Sequence, residues 1–293
     1  MRPVLVVEEA AADIADVPLH VRRAGYQCLS LTPAAMDLDV QACSLILIGA
    51  VGAEVSGERL LAWRQRYQSV PCVVLTGESP WICSESALRA GVSGLLPWTD
   101  LESDLIPTLQ SILGASAAAS PDAAVSNREV LSYTIDNNPD LLPLIVSSVR
   151  QRIVSWPFQD SIELERVTVA LSEALDNALY HGNLDLCSDL RQGSGQSWRE
   201  ESRARRGALP YRDRRIRFQA AFDSQGAEFV IRDEGIGFDP ALLSDCTQMQ
   251  NLERCSGRGL FLMKMYMDEM RFNATGNEIT LQKQRPVELS TAR

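Results

Sequence analysis

Two rhythms of hydrophobic and polar positions divide the chain. Up to about residue 113, short runs that are apolar throughout alternate with longer mixed segments. "VLVVEE" near the start, "SLILIGA", "CVVLTGE" and the weaker "GLLPW" read as buried strands. Between them "GERLLAWRQRY" and "ICSESALRAG" carry helical spacing. Repeated strand–helix units predict a parallel sheet covered on both faces. The stretch "GASAAASPDAAVSN", residues 114–127, has no apolar period and is rich in Ala, Ser and Pro, so it reads as a linker.

From residue 128 the pattern lengthens. "DLLPLIVSSVRQRIVSW", "IELERVTVALSEALDNALYHG" and "GRGLFLMKMYMDEM" have helical periodicity. "RRIRFQAAF" and "AEFVIRDEG" alternate as strands around the turn "DSQG" and predict a hairpin. "RFNATGNEITLQKQ" predicts a closing hairpin with Gly276 in its turn. Helices layered on a largely antiparallel sheet give an α+β sandwich for residues 128–293. A break in this pattern, about residues 184–213, holds most of a basic run with nine arginines and three acids between 191 and 217. It reads either as a solvated helix and loop or as a docking patch for an acidic partner.

Composition narrows the chemistry. A length of 293 residues favours two domains, and a net charge of -10 argues against direct nucleic-acid binding. Of 28 basic residues only Lys264 and Lys283 are lysines. A Walker A loop, which needs Gly-Lys-Ser/Thr, is therefore absent, and so is the early-strand lysine of the common protein-kinase fold. The seven cysteines form no CxxC pair, which leaves a zinc site without support. No apolar run is long enough for a bilayer, and "MRPVLVVEEA" is unlike a signal peptide. These features lead to the expectation of a cytoplasmic protein with reduced thiols and no membrane partner.

The most informative segment is "SEALDNALYHGN", residues 172–183. Ala174, Leu175, Ala178 and Leu179 make a core-facing stripe, while Glu173, Asn177 and His181 fall four apart and predict one polar row. An isolated polar pair at this spacing is commonly a solvated face. Two further segments change that weighting: "RDEGIGFDP" and "SGRGLFL".

Together, in this order and followed by "GNEITL", the three segments resemble the nucleotide-binding boxes of the histidine kinase and gyrase ATPase superfamily. The anti-sigma-factor serine kinase branch is the nearest match, over about residues 128–284. The resemblance implies the Bergerat-type α+β sandwich, with ATP and Mg²⁺ as ligands. It implies Asn177 as the Mg²⁺ ligand, suited by its hard amide oxygen, and Glu173 as the general base for phosphoryl transfer. His181 either reaches a phosphate or finishes the helix. Asp233 accepts the adenine amine, Gly235 and Gly237 let the loop approach the base, and Thr280 reaches adenine through a water. Gly257, Arg258, Gly259 and Leu260 open a helix whose N-terminus suits phosphate. "LLSDCTQMQNLERC" has the length and polarity of an ATP lid. The implied partners are proteins: an anti-anti-sigma-like antagonist and a sigma factor.

The N-terminal 113 residues resemble response-regulator receiver domains, which implies a flavodoxin-like fold. Glu8 and Glu9 match the acidic pair and Thr76 the switch residue, but Gly49 stands at the phosphoacceptor position and Trp98 near the position of the conserved-type lysine. Glycine forms no acyl phosphate, so this region reads as a pseudo-receiver, a docking or homodimerisation module. An autophosphorylating histidine kinase needs a phosphoacceptor His before the ATP domain, and His20 and His181 do not supply one. Two function classes follow: a serine/threonine protein kinase in partner switching, or an ATP-gated module that sequesters a sigma factor without phosphoryl transfer.

Overall fold

The computed structural model describes residues 3–8, 17–31, 43–50, 57–77, 80–117, 128–158, 160–186, 195–242 and 258–286. The chain divides into two compact units, Met1–Ile135 and Asp136–Arg293.

In the first unit the elements run β1 (Val4–Glu8), α1 (Val17–Arg23), β2 (Cys28–Leu31), β3 (Leu45–Ala50), α2 (Gly57–Arg66), β4 (Cys72–Thr76), α3 (Pro80–Arg89), β5 (Gly94–Pro97), α4 (Leu101–Ala117) and β6 (Glu129–Ile135). All strand pairs are parallel, in the order β2-β1-β3-β4-β5-β6. The first five follow the 2-1-3-4-5 order of flavodoxin-like sheets. β4 and β5 are buried at every position, as a sheet covered on both faces requires. The N-terminal unit thus has the expected receiver-like architecture.

Gly49 lies near the carboxyl end of β3, beside Glu8 of β1 and Leu75 of β4. Thr76 ends β4, buried, and Trp98 opens the short turn after β5. This carboxyl edge is where open α/β sheets place their ligands. It carries no side chain at 49 to accept a phosphoryl group. Glu9 lies outside the described residues.

Two boundaries differ from the sequence reading. α4 continues to Ala117, so the linker does not begin at 114; Ala and Ser are compatible with the last helical turn. "EVLSYTI" forms β6, whose Gly94–Ser132 and Leu95–Tyr133 pairings count it with the first unit and put the division at 135/136. The Tyr133 hydroxyl donates to the Val92 carbonyl at 2.8 Å.

The second unit contains α5 (Leu142–Ile153), α6 (Ser161–Asp176), α7 (Gly195–Gly207), β7 (Ile216–Phe222), β8 (Gly226–Arg232), α8 (Arg258–Tyr266), β9 (Glu269–Phe272) and β10 (Glu278–Gln284). The four strands are antiparallel in the order β7-β8-β10-β9. Burial alternates along β7 and β10, as it does in a sheet with one core face. Phe218, Phe229, Ile231, Ile279 and Leu281 occupy that face and are buried, as are Ala170, Leu171, Ala174, Leu175 and Ala178 of the helical layer. α5 and α8 both pack on α6. The Asp160 carboxylate caps α6, accepting from Ile162 N–H at 2.9 Å. α8 stops at Tyr266 rather than running through "MDEM", because Glu269 and Met270 are taken into β9 against β10. The C-terminal unit is the expected two-layer α+β sandwich.

Among the described residues, no helix is long and apolar enough to cross a membrane.

Candidate functional site

A cavity of about 320 Å³ opens between the end of α6 and the sheet, within the range usual for small-ligand sites. Its apolar walls include Ala174, Ala178, Leu260 and Met263 from the helices and Ile231, Phe272 and Ile279 from the strands. Its polar groups are few: Asn177, His181, Asp233, Asn277 and Glu278. A mostly apolar cavity with a few polar groups suits a heteroaromatic base.

Asp233 follows the last residue of β8 and is 9% exposed. Its backbone N–H donates to the Asn277 carbonyl at 3.0 Å, and its own carbonyl accepts from the Asn277 side-chain amide at 3.2 Å. Its Oδ1 accepts the Gly235 N–H at 2.8 Å. Burial, the largest influence, raises its pKa from the ordinary 3.8 to about 6; the Gly235 N–H and the Arg214 guanidinium oppose the rise, and Asp185 adds to it. With Oδ1 occupied, Oδ2 is the oxygen left for a ligand amine.

Three glycines give this carboxylate its surroundings. A Cβ at Gly182 would fall on the Asp233 carboxyl group, and one at Gly235 on the Gly182 carbonyl. Gly237 has φ +71° and packs against the Thr275 carbonyl, so it needs both the left-handed backbone and the missing side chain. The loop after β8 is thereby pinned to the β9–β10 turn, with Phe238 N–H donating to Thr275 O at 3.0 Å.

α6 does not continue as a uniform helix. From Asn177 to Asn183 it opens into a wider turn, with Leu184 N–H donating to Leu179 O five residues back at 3.0 Å. Such π-type turns recur at functional sites. The Glu173–Asn177 spacing stays α-helical, since Asn177 N–H reaches both Ala174 O and Glu173 O. The Asn177–His181 spacing is that of the wide turn; Asn177 and His181 line the cavity together, and Glu173 of the expected row does not. His181 lies exposed at the cavity wall, its Nδ1 donating to Leu186 O at 2.6 Å. That bond fixes the proton on Nδ1 and leaves Nε2 for other partners.

Glu173 does not line the base cavity; it faces the start of α8. A Cβ at Gly259 would stand 2.7 Å from Glu173 Oε2 and 3.6 Å from Asn177 Nδ2. Gly259 therefore lets the first turn of α8 approach the carboxylate and the amide together. Arg258, the first residue of α8, is exposed, and Leu260 lines the cavity. Gly257 and the "LLSDCTQMQNLERC" segment lie outside the described residues, apart from the leading Leu242.

Thr280 needs correction. On β10 it pairs with Val230 and Arg271, on the face opposite Ile279 and Leu281. Strand alternation thus turns it from the cavity. Asn277 occupies the wall instead. Its signal was present in the sequence as a polar residue just after the turn glycine, Gly276.

Asn183 was also missed. It is fully buried; its Oδ1 accepts Glu234 N–H at 2.8 Å and its Nδ2 donates to Asn137 Oδ1 at 2.7 Å. It ties the wide turn to the loop carrying Asp233. The arginine-rich insertion is not a wholly solvated helix either. α7 buries Trp198, whose ring lies 5.5 Å from Tyr180 and 6.2 Å from His181.

The residues present fit a purine nucleotide and one Mg²⁺. The buried carboxylate suits the exocyclic amine, the glycines leave room for phosphate near α8, and Asn177 offers a hard oxygen to a cation that keeps phosphate and water ligands.

Residues 200–283 match the family described as the histidine kinase-like ATPase domain. The match begins inside α7, so the Glu173–Asn183 segment lies before it and joins the site through the geometry above. No curated protein matches the chain. Among solved structures, NtrX from Brucella abortus is similar at 14% identity, over 60% of this chain and 42% of its own, with a TM-score of 0.29. FixJ from B. japonicum is similar at 12% identity over 71% and 91%, with a TM-score of 0.31. The RcsB response regulator of Salmonella typhimurium is similar at 12% identity over 71% and 92%, with a TM-score of 0.30. The chain thus spans less than half the length of NtrX. Residues 200–283 of its C-terminal unit are similar to the histidine kinase-like ATPase domain, a kind of domain that implies ATP binding.

Proposed function

We propose that the chain is a regulatory ATP-binding protein whose C-terminal unit is a serine/threonine protein kinase of the anti-sigma-factor type, acting in partner switching on an anti-anti-sigma-like antagonist. The observation that carries this reading is the placement of the Glu173 carboxylate against Gly259, beside Asn177 and at the opening turn of α8. Asp233 and the cavity walls orient the base; the start of α8, with Arg258, takes the phosphates. Mg²⁺ held by Asn177 and the phosphate oxygens would neutralise charge on the transferring group. The attacking hydroxyl oxygen forms a bond to the γ-phosphorus, the bond from that phosphorus to the bridging oxygen of ADP breaks, and Glu173 receives the hydroxyl proton. A pure binding module has no need of a carboxylate at this point.

One observation favours the second reading, an ATP-gated module that sequesters a sigma factor or other regulator. Ile236 is 87% exposed and Phe238 is exposed in the loop beside the cavity, offering apolar surface to a partner.

Glu173→Gln separates the two. The variant keeps the side-chain shape and loses the proton acceptor, so ATP affinity should stay within a few fold while phosphoryl transfer falls by roughly a hundredfold or more. Transfer from radiolabelled ATP to candidate partner proteins measures this. Transfer at the wild-type rate would make Glu173 structural; a wild type that binds a partner and transfers nothing would favour the gated module.

A further inference from the structure

The insertion between the α6 turn and β7 makes a set of contacts that the nucleotide reading leaves unused. The last carbonyls of the wide turn accept side-chain donors from this insertion, Gly182 O in addition to the Asp185 N–H at 3.4 Å. Arg214 Nη1 donates to Asn183 O at 2.7 Å and to Gly182 O at 3.5 Å, and pairs with Asp185 Oδ2 at 3.0 Å. Arg205 Nη1 donates to Leu184 O and Asp185 O, both at 2.8 Å. The two guanidinium groups sit 5.3 and 5.1 Å from the centre of the Tyr211 ring, which holds them as a stack. A second route runs through amides: Asn137 Nδ2 donates to Tyr211 O at 2.7 Å, and Asn137 receives Asn183, which in turn holds Glu234 N–H.

We propose that Arg205, Tyr211 and Arg214 are positioning residues for the nucleotide: they hold the wide turn in register with the Asp233 loop. This rests on the nucleotide reading of the cavity. The need for such a hold follows from the packing of Gly182. Its Cα lies so close to the Asp233 carboxyl group that not even a methyl fits between them. A small displacement of the turn therefore reshapes the wall on which a ligand amine is read. The turn's own bonds, such as Leu184 N–H to Leu179 O at 3.0 Å, stay within the turn and do not tie it to the Asp233 loop. Guanidinium groups suit the task, since one planar fork reaches successive carbonyls.

The test uses the full chain and ATP with Mg²⁺. Arg214→Gln removes the charge and the fork, Arg214→Lys keeps the charge, and Arg205→Gln breaks the other half of the stack. Calorimetry gives ATP affinity from about pH 5 to about pH 8, and a thermal transition reports folding. The groups around Asp233 are Arg214, Asp185, Glu234, Asn277 and Gly235 N–H, with His181 and Glu278 on the same cavity. Arg214→Gln should weaken binding by about tenfold, the scale of lost charged hydrogen bonds, and move the pH midpoint of binding upward. Arg214→Lys should restore the midpoint but not the full affinity. A folded Arg214→Gln with wild-type affinity and midpoint overturns the proposal. If that variant does not fold, Arg205→Gln is judged on affinity alone: about tenfold weakening supports the proposal and wild-type affinity overturns it. A wild type that binds no ATP defeats the nucleotide reading instead. In that case amide exchange at residues 182–185 and 234 decides the hold itself: faster exchange in the variant supports it, and unchanged exchange overturns it.

Discussion

Replacing Asp233 by Asn should make the nucleotide-free protein more stable and its ligand site worse. The carboxyl group is buried, and its pKa stands at about 6 against an ordinary 3.8. A raised pKa means that the ionised form is disfavoured in the fold. The cost is absent below about pH 4, grows as pH rises through the window from about 4 to 6, and is complete above it. The rise from 3.8 to about 6 corresponds to about 3 kcal/mol at neutral pH. Asparagine has the same shape and no charge, so the variant should recover much of this cost, a melting temperature higher by roughly 5–10 °C. Near pH 4 the difference should vanish. Ligand binding should move the other way. Gly235 N–H requires an acceptor, so the Asn oxygen stays where Oδ1 is now and its NH₂ faces the cavity. A ligand amine then meets a donor, and ATP affinity should fall at least about tenfold, the loss expected from an unpaired buried polar group. Thermal melts of wild type and variant at pH about 7.5 and about 4, with calorimetric ATP titration, measure both arms. A variant that melts at or below the wild type at neutral pH would refute the reasoning about the buried charge. Unchanged ATP affinity would refute the assignment of Asp233 to the base.

Asn177→Ala should remove the Mg²⁺ dependence of ATP binding and weaken it, since it deletes the amide oxygen beside Glu173; equal affinity and equal metal dependence by calorimetry would deny it the metal. Gly182→Ala should cost about 1–3 kcal/mol in a thermal or denaturant melt, the usual scale for overpacking, and also weaken ATP binding, because the new methyl would fall on the Asp233 carboxyl group. A melt equal to wild type would show that the turn has room to yield.

The two rhythms of the sequence carried both architectures, because continuous apolar runs and alternating ones record whether a strand has one covered face or two. The glycines of "RDEGIGFDP" were legible for a similar reason: left-handed backbone at Gly237 and close approach at Gly235 restrict residue type. What sequence spacing could not convey was a change of helical period. Nothing in "NALYHGN" distinguishes an i+4 from an i+5 turn, so the widening after Asn177 was not foreseen. Thr280 was misplaced by one residue of strand parity, which sends a side chain to the other face. Asn183 and Arg214 were invisible as site residues because their roles depend on partners 51 and 31 positions away in sequence. β6 was missed because a seven-residue strand beside an Ala- and Ser-rich stretch has little pattern of its own.

The cations that hold the wide turn are all guanidinium groups, which keep their charge at any pH where a protein stays folded. Chemistry aimed at amines, such as acylation or reductive alkylation, has no target among them. The side-chain amines of the whole sequence are Lys264 on α8 and Lys283 on β10. Amine coupling of this protein to a dye or surface would thus fall on those elements and on the terminal amine, and would leave the arginine stack untouched. Dicarbonyl reagents that condense with guanidine would spare both lysines and reach the exposed arginines, Arg258 of α8 among them. Amine chemistry therefore offers a handle on α8 and β10 that leaves the wide turn and its guanidinium groups alone.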